Sequence, residues 1–279
     1  MHFKNSFFFL TIFLTSLGLH AKPLQIVAAE NFYGSVAQQV SGSSVNVVSI
    51  MSNPNQDPHE FQADAKTAKA VADADIIIYN GLGYDTWMEK LLSADKTSNR
   101  IIINVAQLVG AKKGANPHLW YDPKTMPALA TKLALVLKKP EGEVAFSASM
   151  KPLLEKIATL KIKTVGMKVT ATEPVFGYMA SALGFRMLNE GYQWAIMNDA
   201  TPSFQETVNF EKSLISNTAK LLFQNSQTMN PSTQKMIAIA QEHHIPVIGI
   251  TETQPANAKT YVAWMLSQLK EIETSLRVD

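Results

Sequence analysis

Short uninterrupted apolar runs, Ile76-Ile77-Ile78-Tyr79 and Ile101-Ile102-Ile103 foremost, constrain this chain more than any other feature. A strand with one wet face alternates apolar and polar side chains. A run that is apolar at every position needs cover on both faces, as in a parallel sheet packed between helices. Such runs recur here between helix-like segments. Strands are expected at 24–29, 45–51, 75–79 and 100–105, with helical stretches at 34–41, 63–74 and 85–93 between them. A long strandless region follows, with helices over 124–137 and, after the breaker Pro140, over 142–164. A second alternating set then begins. Strands are expected at 164–171, 186–189, 219–224 and 246–250, and helices at 174–183, 203–217, 234–243 and 261–276.

This pattern predicts an α/β fold of two halves, each a mostly parallel sheet flanked by helices, joined by one long helix. The expected division is 1–21, an export segment; 22–138, an N-terminal lobe; 139–164, the linking helix; and 165–279, a C-terminal lobe. The 279 residues, 46% apolar, suffice for cores of that size.

The first residues are a separate object. Lys4 supplies a positive start, Phe7 to Leu19 is densely apolar, and Leu19-His20-Ala21 ends on a small residue. That is the pattern of a secretory signal peptide, short for a membrane span. The mature chain is expected to start near Lys22 and to be periplasmic. With no cysteine in the chain, a lipid anchor on an N-terminal cysteine, disulfides, thiolate metal sites and cysteine nucleophiles are excluded. The net charge of +2 offers no basic footprint for nucleic acid.

In open parallel sheets, ligands collect at the carboxyl ends of the strands. The polar residues that follow the strands therefore matter most. His59, in Asp57-Pro58-His59, follows the second strand. His118, in Asn116-Pro117-His118, lies in the loop after the fourth. Glu173 follows the first strand of the second half, and Glu252 its last. Imidazole and carboxylate together bind divalent first-row metals, and the preceding prolines stiffen both histidine loops. The ligands lie tens of residues apart, as in a site between lobes rather than a closely spaced structural zinc site. Each also has a plainer reading. The histidines can be surface decoration, Glu173 a helix cap, and Glu252 a solvated loop acid, with Glu190 and Asp199 as rival acids of the second half. His243-His244 reads as a helix end. Tyr84, Trp87, Trp120 and Tyr121 read as packing around the cleft, and Met179, Met187 and Met197 as helix-face packing rather than copper ligands.

Several motifs stand in one order along the chain: Ala28-Ala29-Glu30-Asn31-Phe32-Tyr33-Gly34, Asp57-Pro58-His59-Glu60-Phe61, Asn80-Gly81-Leu82-Gly83-Tyr84-Asp85, Asn116-Pro117-His118-Leu119-Trp120 and Glu173-Pro174-Val175-Phe176-Gly177-Tyr178. Together they resemble the zinc/manganese solute-binding proteins of bacterial ABC importers, the cluster that includes TroA, ZnuA and PsaA. The resemblance implies one dication held between the lobes as cargo and delivered to a membrane permease by a monomeric, non-enzymatic carrier. His59 and His118 match the first two histidine ligands. Glu173 stands where zinc-binding members usually carry a third histidine, as in the manganese-associated branch. Glu252 falls near the family's C-terminal acid, though its Thr251-Glu252-Thr253 setting departs from the commoner aspartate. The histidine-rich loop of many zinc members is missing between His59 and His118. Manganese is therefore slightly favoured over zinc. Two rival functions use the same residues: a secreted metal-dependent hydrolase, with Glu60 or Asp122 as base, and a surface adhesin with an incidental metal site.

Overall fold

In the computed structural model, residues 22–54, 58–94 and 99–276 are described, with only the backbone of His59. The chain folds as two α/β units with one sheet each. The first runs β1 (Leu24–Glu30), α1 (Asn31–Ser41), β2 (Val45–Met51), α2 (Ala65–Ala72), β3 (Ile76–Tyr79), α3 (Thr86–Ala94), β4 (Ile101–Asn104), α4 (Val105–Leu108) and α5 (Thr125–Leu137). The long helix α6 (Pro140–Thr164) follows. The second unit runs β5 (Lys168–Ala171), α7 (Gly177–Ala182), β6 (Arg186–Met187), α8 (Glu190–Met197), α9 (Phe204–Ile215), β7 (Leu222–Asn225), α10 (Pro231–Glu242), β8 (Val247–Ile250) and α11 (Tyr261–Ser275).

Among the described residues the strands pair in parallel in both sheets, in the orders β2-β1-β3-β4 and β6-β5-β7-β8. The run in β3 accounts for the centre of the first sheet, whereas the run expected to be covered on both faces at 101–103 is not: β4 is an edge strand, and Ile101 and Ile102 are exposed. Ile76, Ile77 and Ile78 are all fully buried, alternately facing two different core clusters. Every strand of such a sheet ends on the same edge, and the loops leaving that edge carry the polar residues of the first and second halves.

The expected elements recur with shifted limits. The strand expected from 164 begins at Lys168, because Thr164 still belongs to α6 and Gly166, at φ 78°, turns the chain. The strand expected over 186–189 shrinks to two residues. Helix α8 was not expected, since Gly191 and bulky aromatics blur its periodicity. It forms against α9, with the Tyr192 and Phe210 rings edge to face at 4.7 Å.

One apolar cluster runs without a break from Ile26 and Phe32, through Trp120, Leu133 and Leu153 of α6, to Phe223, Trp264 and Leu269. The two units therefore share a core, with α6 packed against α1, α5 and α11. At 25 residues, α6 keeps its helix through Pro152. Lys139, just before it, donates its ammonium to the Ser41 carbonyl and Ser44 hydroxyl beyond the end of α1. Among the described residues no helix is long and apolar enough to cross a membrane.

Candidate metal centre

His118 leaves the β4 edge in the loop before α5, and Glu252 leaves the β8 edge of the other unit. The structure brings them together: Nε2 of His118 lies 3.3 Å from Oε2 of Glu252, with both side chains fully buried. The reading of Glu252 as a solvated acid is therefore overturned, whereas Glu190 and Asp199 are exposed.

The tautomer of His118 follows from its neighbours. The Asn116 amide nitrogen donates to the Pro174 carbonyl at 2.6 Å, and its Oδ1 accepts the His118 backbone N–H at 3.1 Å. Oδ1 is thus the atom facing the ring, 2.6 Å from Nδ1, so Nδ1 carries the hydrogen. In the neutral ring Nε2 then presents a lone pair, and it has no hydrogen-bond partner. It faces a carboxylate oxygen. Two lone pairs at that separation repel unless a proton or a metal cation stands between them. Two ligands about 2.1 Å from one metal lie 3.3 Å apart at an angle of roughly 100–105°, near tetrahedral. A metal-bound imidazole with its second N–H on an oxygen acceptor is the usual arrangement.

Glu252 is braced from both units. From its own unit, Asn225 at the end of β7 donates to Oε1 at 2.6 Å, and Gln227 Oε1 accepts the Glu252 and Thr253 backbone N–H groups at 2.5 and 3.1 Å. From the other unit, the Tyr84 hydroxyl donates to Oε2 at 3.0 Å. Tyr84 is therefore more than packing, and burial followed by the Glu252 charge pushes its hydroxyl pKa well up. Trp120 does pack, edge to face on the His118 ring at 5.2 Å. Tyr121 packs against Trp264, and Trp87 against Phe61.

Glu173 is 2% exposed and precedes the short 3-10 turn Pro174–Phe176 without capping it through its side chain. The next residue, Pro174, is the one tied to Asn116. The Tyr178 hydroxyl donates to the Asn116 carbonyl at 2.9 Å, so the Glu173 and His118 loops are stitched together. The backbone of His59 lies in the 3-10 turn Pro58–Glu60; its side chain lies outside the described residues. Among the described residues, no three His, Asp or Glu side chains form a group able to hold a metal ion. What the structure assembles is the pair His118–Glu252.

Glu60 is exposed, and the Asp122 carboxylate accepts the Lys124 backbone N–H at 3.0 Å. His243 ends α10 and His244 is exposed at φ 58°. Met179 is a core residue.

A second acidic pair was not foreseen. Glu30, the last residue of β1, and Asp85 are both buried. Asp85 accepts backbone N–H groups from Asn80 and Gly81, yet burial pushes its carboxyl up to about 6. Burial, and then the neighbouring Asp85, holds the Glu30 carboxyl well above the usual range.

The sequence matches the family described as zinc-uptake complex component A, periplasmic, over residues 26–275. It is 26% identical over 176 residues to the manganese-binding lipoprotein MntA of Halalkalibacterium halodurans, spanning 61% of this chain and 58% of that one. It is 25% identical over 284 residues to the manganese ABC transporter substrate-binding lipoprotein PsaA of Streptococcus pneumoniae, spanning 91% of this chain and 89% of that protein. The fold is that of the periplasmic zinc binding protein TroA from Treponema pallidum: TM-score 0.76 at 18% identity, over 92% of this chain and 99% of the other.

Proposed function

We propose, from the premise that this chain belongs to the periplasmic zinc-uptake complex component A family, that it captures one divalent transition metal between its two units and hands it to an ABC permease. The observation that carries this reading is His118 Nε2. A buried ring nitrogen, the lone-pair atom of the neutral tautomer that the Asn116 contact selects, faces a buried carboxylate oxygen 3.3 Å away. That gap fits a cation, and the cargo is the metal itself. His59, His118, Glu173 and Glu252 are the proposed ligands. Residues 1–21 are the proposed export signal, 22–138 and 165–279 the proposed metal-binding lobes, and 139–164 the proposed link. The protein works in the periplasm, as a monomer and without catalysis.

A ligand set of two imidazoles and two carboxylates suits manganese better than three imidazoles would, and we place manganese slightly ahead of zinc. Intrinsic affinity runs the other way, so geometry and supply decide the load. Full burial of His118 and Glu252 means the units separate for the ion to enter or leave. Imidazole and carboxylate ligands must be deprotonated to bind, so affinity falls as the pH drops.

The test is metal titration of apo protein, read by elemental analysis and thermal unfolding. One Mn2+ or Zn2+ per chain is expected, with about 2.7 kcal/mol of added stability at 100 times Kd. His118→Ala is expected to weaken binding by more than about 100-fold, beyond the 10- to 100-fold of changes around a ligand. Because the ring is buried against Trp120, and is not a free loop side chain, apo stability falls as well, by about 1–3 kcal/mol. Glu173→His is expected to move preference toward zinc. A wild-type chain that retains no metal, or a His118→Ala chain that binds as tightly, defeats the proposal.

A further inference from the structure

We infer that Asn225, which donates to Glu252, sets the metal preference of the site by favouring a single donor oxygen of that carboxylate. The inference rests on the transport reading above, and on Glu252 as a ligand.

Asn225 closes β7 and is 2% exposed. Its amide cannot turn over freely. Oδ1 accepts the Gln227 backbone N–H at 3.1 Å, so Nδ2 is directed at the Thr228 hydroxyl, 3.1 Å away, and at Glu252 Oε1, 2.6 Å away. Its backbone N–H is donated to the Thr172 hydroxyl at 3.1 Å, next to Glu173. Donor and strand end are thus locked together. A hydrogen bond to an ionised oxygen at this length is among the stronger kind.

The consequence is directional. Oε1 takes the shorter bond, 2.6 Å from Asn225, while Oε2, which accepts the Tyr84 hydroxyl at 3.0 Å, is the oxygen that faces His118 Nε2. A metal placed there meets Oε2 first, and drawing in Oε1 as well means loosening the Asn225 bond. One oxygen per carboxylate keeps the coordination number low, which suits four-coordinate zinc. Manganese favours more oxygens in an octahedral shell. Asn225 therefore pulls toward zinc, opposing the carboxylate at Glu173. Tyr84 serves as the internal comparison, since its hydroxyl reaches the other oxygen, Oε2, from across the cleft.

The experiment compares Asn225→Ala and Tyr84→Phe with wild type by competition titration of Mn2+ and Zn2+ against a chelator, and by the visible absorption of the Co2+-loaded protein. In Asn225→Ala, Oε1 is released and can join the metal. The Mn:Zn affinity ratio is expected to rise at least about tenfold, and the Co2+ bands to weaken as the coordination number grows. Tyr84→Phe is expected to weaken both metals alike, leaving the ratio within threefold. An Asn225→Ala ratio within threefold of wild type, with unchanged Co2+ bands, overturns the inference; so does an equal ratio shift in Tyr84→Phe. If Asn225→Ala does not fold, a crystal structure of the zinc-loaded wild type decides. Oε1 kept on Asn225 sustains the inference, and both oxygens within about 2.2 Å of the zinc overturn it. In that last case the metal is still bound and the transport reading stands. A wild-type protein holding no metal overturns both.

Discussion

The two units are built to one plan and wired differently. Both sheets put their first strand between the second and the third. In the first, Ala28 pairs with Ile78, and continuing the register sets Glu30 beside Asn80. In the second, Ala171 pairs with Phe223, which sets Glu173 beside Asn225. An acid and an asparagine thus occupy matching strand ends in both. Asn80 accepts the Tyr33 hydroxyl at 2.6 Å and spends its amide on the Pro117 carbonyl, 2.9 Å away, bracing the backbone just before His118. Asn225 spends its amide on the Glu252 carboxylate itself. The acids differ too. Glu30 lies against Asp85, and burial favours its proton. On this reading the first unit delivers an imidazole on a stiff backbone, and the second delivers a carboxylate. A duplicated frame does not imply a symmetric site.

The comparison breaks most visibly at the linking helix, which meets its two units by different means. At its start Gly142 lies so close to α1 that a Cβ there would overlap the Val40 carbonyl oxygen. That obstacle is backbone and cannot swing aside. Alanine gains about 1 kcal/mol in helix propensity over glycine, but forced overpacking of a core costs about 1–3 kcal/mol and more against rigid neighbours. Gly142→Ala is therefore expected to destabilise the apo protein by about 1–3 kcal/mol net, read as a lower denaturant midpoint. Unchanged or raised stability would show that α6 can shift on the first unit, and that the weld is looser than the shared core implies.

The common plan was legible because it is written in apolar runs. Ile76 to Tyr79 predicts a buried parallel strand and forms one, whereas Ile101 to Ile103 forms a parallel edge strand with its first two residues exposed. The carboxyl-end rule singles out His59, His118, Glu173 and Glu252, of which the structure pairs His118 with Glu252. The wiring was not legible. Tyr84 and Glu252 are 168 residues apart, and nothing in a lone tyrosine or in an asparagine at a strand end names a partner at that range. Asn116 carried the one local clue, standing two residues before His118, where its side chain can fold back on the ring. The buried pair Glu30–Asp85 was hidden because an acid in a strand or turn reads as solvated until the strands on either side are placed. Helix α8 was hidden for a related reason: tertiary contacts, not periodicity, hold it.

The carboxyls that burial pushes up in the first unit give the next test. A carboxyl whose folded pKa is raised takes up a proton on folding, so stability falls with rising pH between its unfolded value, about 4, and its folded value. For Asp85 that window reaches about 6, and for Glu30 it extends upward in the same direction. Glu30→Gln keeps the size of the side chain and removes one titration. The variant is expected to match wild type near pH 4 and to exceed it at pH 8 by about 1–3 kcal/mol, the scale of relieving a strained buried polar group. Thermal unfolding from pH 4 to 8 decides. A difference that stays flat with pH would mean Glu30 is ionised in the fold, and the contrast between the units would shrink to their asparagines.

The smallest expected effect lies where α6 meets the second unit. Lys156 Nζ sits 2.6 Å from Glu273 Oε2 of α11, with side chains 25% and 20% exposed. A partly wet ion pair loses much of its attraction to solvent and to side-chain entropy, leaving about 0–1 kcal/mol, whereas the apolar contacts beneath it, through Leu153, Ile157 and Leu160, do not depend on salt. Lys156→Met keeps the aliphatic stem over that core and removes only the charge. Its cost is expected to stay under about 1 kcal/mol at low salt and to vanish near 1 M, where screening acts within about 3 Å. Urea unfolding at two salt concentrations measures both quantities. A loss above 2 kcal/mol, or one that survives 1 M salt, would make the ion pair rather than the core the fastening on this side, and the helix would then be held to one unit by close backbone packing and to the other by charge.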